Sequence, residues 1–305
     1  MVCFIGQMLV SFCSCFENLD LSLKATRMTT LRTRGGDTFV EDLGGAGRPL
    51  VVLHGGLGLD HGYLRSAFDG FADEYRVIYT DFLGNGRSDR SIDYKSIHDN
   101  QIWVDQVTDL LDVLKLRDPI LAGHSYGGYV AQELAIRSPV PGLELLLIAT
   151  APKLDHLDLA IANARMRGTE DQVRAVEEDL SYPQESDEQW ARTWQRLLPL
   201  YFHSPDDAVI DGMMDSTIFS AEGFNTAHLR ALKSFDTSAD LSRIEARTLV
   251  ICGDDDWILP LTPCSLSLAA GIPNADLAVI PACGHFPFIE RPGEFSTLVR
   301  NWLHG

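Results

Sequence analysis

Basic residues and cysteines are scarce in this chain of 305 residues, and no apolar run is long enough to span a bilayer. Its 25 lysines and arginines face 43 aspartates and glutamates, which gives a formal net charge of −18. That charge disfavours nucleic acid or an anionic membrane surface as a partner. The hydrophobic content of 45% is typical of a globular protein with one sizeable core and an inserted subdomain.

The six cysteines form no metal-binding pattern. Cys252, Cys264 and Cys283 lie far apart, without the C-x-x-C or histidine spacing of a zinc site. We therefore predict buried or partly buried thiols in a reducing compartment, and a cytoplasmic location. The glycines at 84 and 86 follow a predicted strand but lack G-x-G-x-x-G spacing, and no phosphate loop occurs. The motifs imply no metal and no cofactor.

Residues 1–27 differ from the rest of the chain. Residues 1–16 are largely apolar, but no lysine or arginine precedes the run and no small-residue cleavage site follows it. We interpret residues 1–27 as an extension upstream of a start at Met28, with a weak targeting segment as the alternative.

Beyond Met28, strand and helix patterns alternate, which predicts an α/β fold with a mostly parallel sheet and helices on both faces. Residues 151–236 contain no convincing strand and are predicted to form a helical cap. The cap would lie over the carboxyl ends of the strands of a core made of residues 28–150 and 237–305. The predicted strands are Pro49 to His54, Arg76 to Asp81, Pro119 to His124, Leu143 to Ile148, Thr248 to Cys252 and Leu277 to Pro281.

One turn carries the pattern of a catalytic nucleophile. The motif GHSYGG at 123–128 follows an apolar run and opens an amphipathic stretch. This order predicts a strand, a sharp turn and a helix, with Ser125 at the tip of a nucleophile elbow. Small residues at 123 and 127 would let the strand and the helix pack closely. A glycine-rich turn with an incidental serine is the simpler alternative.

A serine hydroxyl needs an imidazole to take its proton and a carboxylate to orient that imidazole. His285 follows the last predicted strand, so we expect it at the same sheet edge as Ser125, acting as general base. For the acid, GDDDWILP at 253–260 offers Asp254, Asp255 and Asp256 on one loop. Spacing alone does not choose among them.

The turn HGGLG at 54–58 ends a predicted buried strand and supplies backbone donors for an oxyanion. The N–H groups of Gly56 and of Tyr126, the residue after the nucleophile, are the expected pair. His54 is predicted to brace this turn, and His124 to pack beside the elbow.

Together the motifs resemble the α/β-hydrolase family, over nearly everything after Met28. They are most similar to the proline iminopeptidase-like branch, whose members carry a helical cap. The resemblance implies Ser125, Asp256 and His285 as the triad, with Gly56 and Tyr126 as oxyanion donors, and it favours Asp256 among the three acids. The motifs are HGGLG at 54–58, DFLGNGRSD at 81–89, GHSYGG at 123–128, GDDDWILP at 253–260 and GHFPFIERP at 284–292.

Departures from that branch bear on the substrate. Leu57 and Leu83 stand where the branch usually has proline and arginine. Aminopeptidases of this type use cap carboxylates to hold the free amine of the substrate. An acidic helix surface is the simpler interpretation of the cap glutamates, since no motif singles one out. They are Glu177, Glu178, Glu185, Glu188 and Glu222.

The prediction is a serine hydrolase that forms an acyl-enzyme on Ser125 with a small ester, lactone or amide. N-terminal prolyl peptides are the most specific substrate hypothesis. An alternative is cofactor-free cleavage of a carbon–carbon or methyl-ester bond, which a pocket with Leu57 and Trp257 would suit. A third is a non-catalytic ligand-binding protein on the same fold. Epoxide hydrolase and dehalogenase chemistry is disfavoured, because those relatives use an aspartate as nucleophile.

Overall fold

The computed structural model describes residues 26–56 and 58–305, in which eight strands form one sheet. The strands are β1 (Arg27–Thr33), β2 (Gly36–Asp42), β3 (Pro49–Leu53), β4 (Arg76–Thr80), β5 (Ile120–His124), β6 (Glu144–Ile148), β7 (Arg247–Gly253) and β8 (Ala275–Ile280). Their order across the sheet is β1-β2-β4-β3-β5-β6-β7-β8. The first two pairs are antiparallel and the other five are parallel.

Eleven α-helices accompany the sheet in the described part of the chain. They are α1 (Arg65–Phe68), α2 (Gln101–Val113), α3 (Tyr126–Arg137), α4 (Leu157–Arg167), α5 (Glu170–Ser181), α6 (Asp187–Leu197), α7 (Asp207–Ser216), α8 (Ala221–Leu229), α9 (Ser265–Gly271), α10 (Pro287–Glu290) and α11 (Pro292–His304).

Alternate residues of the central strands enter two different cores. Leu50 and Val52 of β3 pack in a cluster with residues of α1 and α11. Val51 and Leu53 pack in another cluster with residues of α2, α3 and α9. Since successive side chains of a strand point to opposite faces, helices cover both faces of the sheet. This confirms the predicted α/β architecture.

All six predicted strands are present, with ends that differ by at most two residues from the prediction. The antiparallel β1–β2 hairpin at the sheet edge was missed. β1 has mostly exposed side chains and lacks the apolar run by which the buried parallel strands were recognised. The predictions for residues 1–25 lie outside the described residues.

Residues 151–236 supply five helices, α4 to α8, between β6 and β7. The two ends of this segment lie side by side, because Lys153 and Asp236 form an isolated β-bridge. The Thr237 N–H donates to the Pro152 carbonyl at 2.8 Å, and the Thr237 hydroxyl donates to Gln132 Oε1 of α3 at 2.8 Å. Both connections are thus anchored on the core. The assignment of this segment as a separate cap domain stays a prediction.

Two further expectations concern cysteines and membranes. Cys252, Cys264 and Cys283 are free and buried, as predicted. Among the helices of residues 26–56 and 58–305, none combines the length and the apolar character that crossing a membrane requires.

A buried ionic network joins β2, β4 and the turn after β3. The His61 ring donates to Asp81 Oδ1 at 2.6 Å and to Glu41 Oε2 at 3.1 Å. Burial alone would lower the pKa of His61, but hydrogen bonds to these carboxylates outweigh it and raise the pKa to about 9. Asp60 is paired with Arg87 at 2.8 Å. Asp60, His61 and Asp81 place possible ligand atoms within 4.8 Å of one another, yet protein cations already balance these carboxylates.

The network predicts that the free energy of unfolding falls as pH rises from 6.5 to about 9. The folded-state pKa lies above that of free histidine, so the stabilisation is complete below pH 6.5 and is lost above pH 9. At 1.36 kcal/mol per pKa unit it amounts to roughly 3 kcal/mol. Urea unfolding should show this loss in wild type and in the exposed control His98→Asn, but not in His61→Asn. An equal pH slope in all three proteins would contradict the assignment.

Candidate active site

Ser125 lies in the sharp turn between β5 and α3, with φ 51° and ψ −114°. This left-handed conformation is strained for a residue other than glycine. The neighbouring glycines are required sterically: a Cβ at Gly123 would lie 2.5 Å from the Gly127 carbonyl oxygen, and a Cβ at Gly127 2.3 Å from the Leu53 carbonyl oxygen. The predicted strand, turn and helix are therefore present.

Backbone hydrogen bonds hold the elbow in place. The Ser125 N–H donates to the Ile148 carbonyl of β6 at 2.9 Å. The Ser125 carbonyl accepts from the Gly128 N–H at 2.9 Å and from the Thr150 hydroxyl at 2.8 Å. These bonds engage the main chain on both sides of Ser125 and leave its half-buried side chain on a cavity wall.

His285 and Asp256 meet across the loops that follow β8 and β7. His285 Nδ1 donates to Asp256 Oδ2 at 2.7 Å, and both side chains are buried. Asp256 Oδ1 accepts from the N–H groups of Ile258 and Leu259, each at 3.1 Å. The His285 N–H donates to the Tyr201 carbonyl at 2.7 Å, which fixes its loop. With Nδ1 protonated towards Asp256, Nε2 is left as the basic nitrogen.

The other two acids of the loop point elsewhere. Asp254 accepts from the Cys283 N–H at 3.3 Å. Asp255 is partly exposed and pairs with Arg167 at 2.6 Å and with His203 at 2.8 Å. Of the three adjacent carboxylates, the structure brings Asp256 to His285.

The two predicted backbone donors, Gly56 and Tyr126, line the same cavity as Ser125. Gly56 follows β3 with φ 49°, and a Cβ at its neighbour Gly55 would lie 2.7 Å from Ser125 Cβ. Tyr126 is the first residue of α3, where N–H groups have no intrahelical partner and the helix dipole favours negative charge.

Histidines and a tyrosine connect the turn after β3 with the elbow and the His285 loop. The Gly55 N–H donates to Tyr63 Oη at 2.6 Å. The Tyr63 hydroxyl in turn donates to His124 Nδ1 at 2.8 Å. His124 Nε2 then donates to the His285 carbonyl at 3.1 Å. Burial lowers the pKa of His124 well below its usual value, which keeps the ring neutral. No sequence motif had indicated Tyr63.

His54 braces the turn, as expected. Its Nδ1 donates to the Gly55 carbonyl at 2.9 Å, and its Nε2 accepts from the Phe82 N–H at 3.0 Å. Burial lowers the pKa of His54. The ring is therefore a neutral link between the turns after β3 and β4.

A cavity of about 660 Å³ opens onto Ser125 and His285. Its rim carries charges of both signs, from Lys153, Asp155, Lys233 and Asp236. Rings from the core and from the segment between β6 and β7 form much of its wall. They belong to Tyr63, Tyr129, Trp190, Trp194, Tyr201, Phe224, Phe235 and Phe286.

Two residues were expected to line the substrate pocket. Leu57 lies outside the described residues. Trp257 does not line the cavity, which corrects the prediction. Its side chain is buried and packs edge-on against Tyr201, with ring centroids 5.4 Å apart. Tyr201 lines the cavity, and Trp257 lies behind it. Periodicity could not distinguish a pocket tryptophan from one packed behind the wall.

None of the five cap glutamates lines the cavity. Glu177 pairs with Arg165 and Glu178 with Arg196, each at 2.7 Å, and the remaining three are exposed. These positions confirm the interpretation as an acidic helix surface. The carboxylates nearest the cavity are Asp155, which pairs with Lys153, and Asp236.

Comparison with known proteins agrees with this architecture. A family model described as alpha/beta hydrolase fold matches residues 48–292. Proline iminopeptidase PfmaB of Pestalotiopsis fici is 30% identical over 255 residues, covering 80% of this chain and 87% of the relative. The 2-hydroxymuconate semialdehyde hydrolase of Pseudomonas sp. strain CF600 is 33% identical over 277 residues, covering 85% and 88%.

Solved structures show the same fold at lower identity. The esterase of Exiguobacterium antarcticum superposes with a TM-score of 0.72 at 20% identity, over 91% of this chain and 99% of the esterase. Given the family match, the sheet order and the elbow between β5 and α3, the chain belongs to the α/β-hydrolase fold family, in which it resembles the proline iminopeptidase-like proteins.

Proposed function

We propose that this hydrolase is a serine hydrolase that forms an acyl-enzyme on Ser125 with small, largely apolar esters or lactones. The observation that carries the proposal is the 2.7 Å bond from His285 to Asp256, since His285 lines the same cavity as Ser125. A histidine bonded through Nδ1 to a carboxylate has Nε2 available to take the proton of a serine hydroxyl.

In the first half-reaction, His285 Nε2 accepts the Ser125 proton while Oγ attacks the substrate carbonyl carbon. The developing oxyanion receives hydrogen bonds from the N–H groups of Gly56 and Tyr126, each contributing about 3 kcal/mol to transition-state stabilisation. The imidazolium, held by Asp256, then donates its proton to the leaving-group oxygen, and the carbonyl–oxygen bond breaks. Water attacks the acyl-enzyme in the second half-reaction, with His285 again as base.

Ser125 and His285 lie on separate loops and line the same cavity, and the His285 ring bonds to Asp256. Nucleophile–base hydrogen bonds often become short only in the substrate complex. The main chain of each residue is anchored independently, Ser125 to Ile148 and His285 to Tyr201. In this proposal the hydrogen bond between Ser125 and His285 forms when substrate binds.

The segment 151–236 acts in this proposal as a cap over the site. The Gly58 carbonyl accepts from the Ser220 N–H at 2.9 Å and from Trp190 Nε1 at 3.2 Å. Gly58 belongs to the turn that holds the oxyanion donor Gly56. These hydrogen bonds fix the aromatic rings of the cap relative to the turn that holds Gly56. The rings favour an apolar acyl group in the substrate.

The cavity wall favours esters over N-terminal prolyl peptides. A free ammonium group needs a carboxylate near the scissile bond, yet the cap glutamates face away and Asp155 is paired with Lys153. Asp236 is exposed at the rim of the cavity and accepts from the Ser238 N–H at 2.9 Å. Carbon–carbon bond cleavage is the second candidate, since the 2-hydroxymuconate semialdehyde hydrolase is 33% identical over 85% of this chain. An aromatic cavity of this size suits either reaction.

The three loop acids provide a matched test of the triad. Asp256→Asn removes the charge that stabilises the His285 imidazolium and should lower kcat for p-nitrophenyl ester hydrolysis by about 10⁴-fold. Asp255→Asn and Asp254→Asn make the same chemical change one and two residues before Asp256. Both variants should keep a kcat near that of wild type. A wild-type kcat in Asp256→Asn, or an equal loss in all three variants, would refute the assignment.

Substrate class is tested with prolyl-p-nitroanilide, short and aromatic p-nitrophenyl esters, and 2-hydroxymuconate semialdehyde, on wild type and Ser125→Ala. We expect aromatic esters to have the highest kcat/KM, and Ser125→Ala to abolish turnover. A higher kcat/KM for the prolyl amide or for the semialdehyde would move the assignment to a peptidase or to carbon–carbon cleavage. Absence of both serine-dependent turnover and fluorophosphonate labelling of Ser125 would favour a binding protein.

A further inference from the structure

One cavity residue outside the proposed catalytic set combines a fixed position with unused hydrogen-bonding capacity. His228 lies near the end of α8, is half-buried and lines the cavity. Within the described chain, neither of its ring nitrogens has a hydrogen-bond partner. Burial, reinforced by the nearby charge of Lys233, lowers the pKa of His228 to about 4. The ring is therefore neutral at pH 7 and offers one N–H donor and one acceptor nitrogen.

A stack of three rings fixes His228 relative to the oxyanion turn. The stack begins at Trp190, whose Nε1 donates to the Gly58 carbonyl. Phe224 stacks on Trp190 with centroids 4.1 Å apart and an interplanar angle of 29°. His228 stacks on the same Phe224 at 5.2 Å and 15°. Trp190 and Phe224 thus connect the His228 imidazole to the turn that holds Gly56. All three side chains line the cavity.

Another neutral imidazole of the cavity, His156, differs in this respect. Its ring bonds to the backbone of Ile258, and burial lowers its pKa. Its Nε2 is buried and has no hydrogen-bond partner among the described residues. One ring nitrogen of His156 is thus bonded and the other is shielded from the cavity. Both ring nitrogens of His228 lack a hydrogen-bond partner in the described part of the chain.

We propose that His228 is a specificity-determining residue that binds an uncharged hydroxyl group on the acyl part of the substrate. A hydroxyl both donates and accepts, which matches the one donor and one acceptor of the imidazole. The surrounding rings would hold the apolar body of the same acyl group. The preferred substrate is then an aromatic or similarly bulky acyl compound that carries a hydroxyl away from its carbonyl. This inference rests on the proposed function.

The test compares p-nitrophenyl 3-phenylpropionate with its 2-, 3- and 4-hydroxyphenyl analogues and its 4-carboxyphenyl analogue. At least one hydroxyl isomer should exceed the parent ester in kcat/KM by about threefold to tenfold, the range of one neutral hydrogen bond, and mainly through KM. In His228→Phe, which keeps the stack on Phe224, the ratio of kcat/KM between the preferred hydroxyl isomer and the parent ester should fall to about one, whatever the rate on the parent ester itself. His228→Asn should partly restore the ratio, and His203→Phe, outside the cavity, should leave it unchanged.

Four results would overturn the proposal. The first is a wild type that prefers no hydroxyl isomer, and the second is a His228→Phe variant that retains the preference. A preference for the carboxyphenyl ester that depends on His228 would mean that His228 binds an anion and not an uncharged hydroxyl group. An equal loss on every ester in His228→Phe would assign the residue a purely structural role, which also contradicts the proposal.

Binding to Ser125→Ala separates this inference from the proposed reaction. The ligands are 4-phenylbutan-2-one and its three hydroxyphenyl analogues, ketones that keep the acyl framework and cannot be hydrolysed. Calorimetry should give a threefold to tenfold tighter Kd for one hydroxyl isomer, and the double variant with His228→Phe should lose that difference. If no ester is hydrolysed but this difference is present, the proposed reaction is wrong and the recognition site stands. If esters are hydrolysed without any such difference, the recognition site is wrong.

Discussion

The close approach of β3, β5 and α3 is the constraint on which the site depends. A Cβ at Gly127 would lie 2.3 Å from the Leu53 carbonyl oxygen, and a Cβ at Gly55 would lie 2.7 Å from Ser125 Cβ. Only glycine allows the start of α3 to pack against the end of β3 at these distances. That packing brings the Ser125 side chain, the Tyr126 N–H and the turn of Gly56 to one cavity wall.

The remaining polar groups reach the wall because parallel strands end at the same sheet edge. Asp256 follows β7 and His285 follows β8, and the two strands pair directly. Tyr63 and His124 then link the Gly55 turn to the His285 carbonyl through groups that are buried and neutral. Such a satisfied network holds the two halves of the site in register, because each broken bond would leave a buried polar group without a partner.

Aromatic packing connects the turn that holds Gly56 with the segment between β6 and β7. Trp190 bonds to Gly58 and stacks on Phe224, so these bonds and contacts fix the rings of α6 and α8 relative to the turn that holds Gly56. The ionic network of His61, Asp81 and Glu41 secures the other side of that turn. The aromatic wall of the cavity and the turn that holds Gly56 therefore depend on shared contacts.

Local patterns in the sequence sufficed for the six parallel strands, the elbow around Ser125 and the positions of His285 and Gly56. Each of these is encoded by contiguous residues: an apolar run, a glycine whose Cβ would clash, or a loop directly after a strand. The β1–β2 hairpin escaped recognition because an exposed edge needs no apolar run.

Tertiary structure decided what no contiguous pattern encodes. It selected Asp256 over its two neighbours by the direction of each carboxylate, placed Trp257 behind Tyr201, and turned the cap glutamates to the surface. It also brought Tyr63 and His228 to the site from elements distant in sequence. Adjacent residues share their spacing and chemistry, and only the packing of the chain around them determines which side chain faces the cavity.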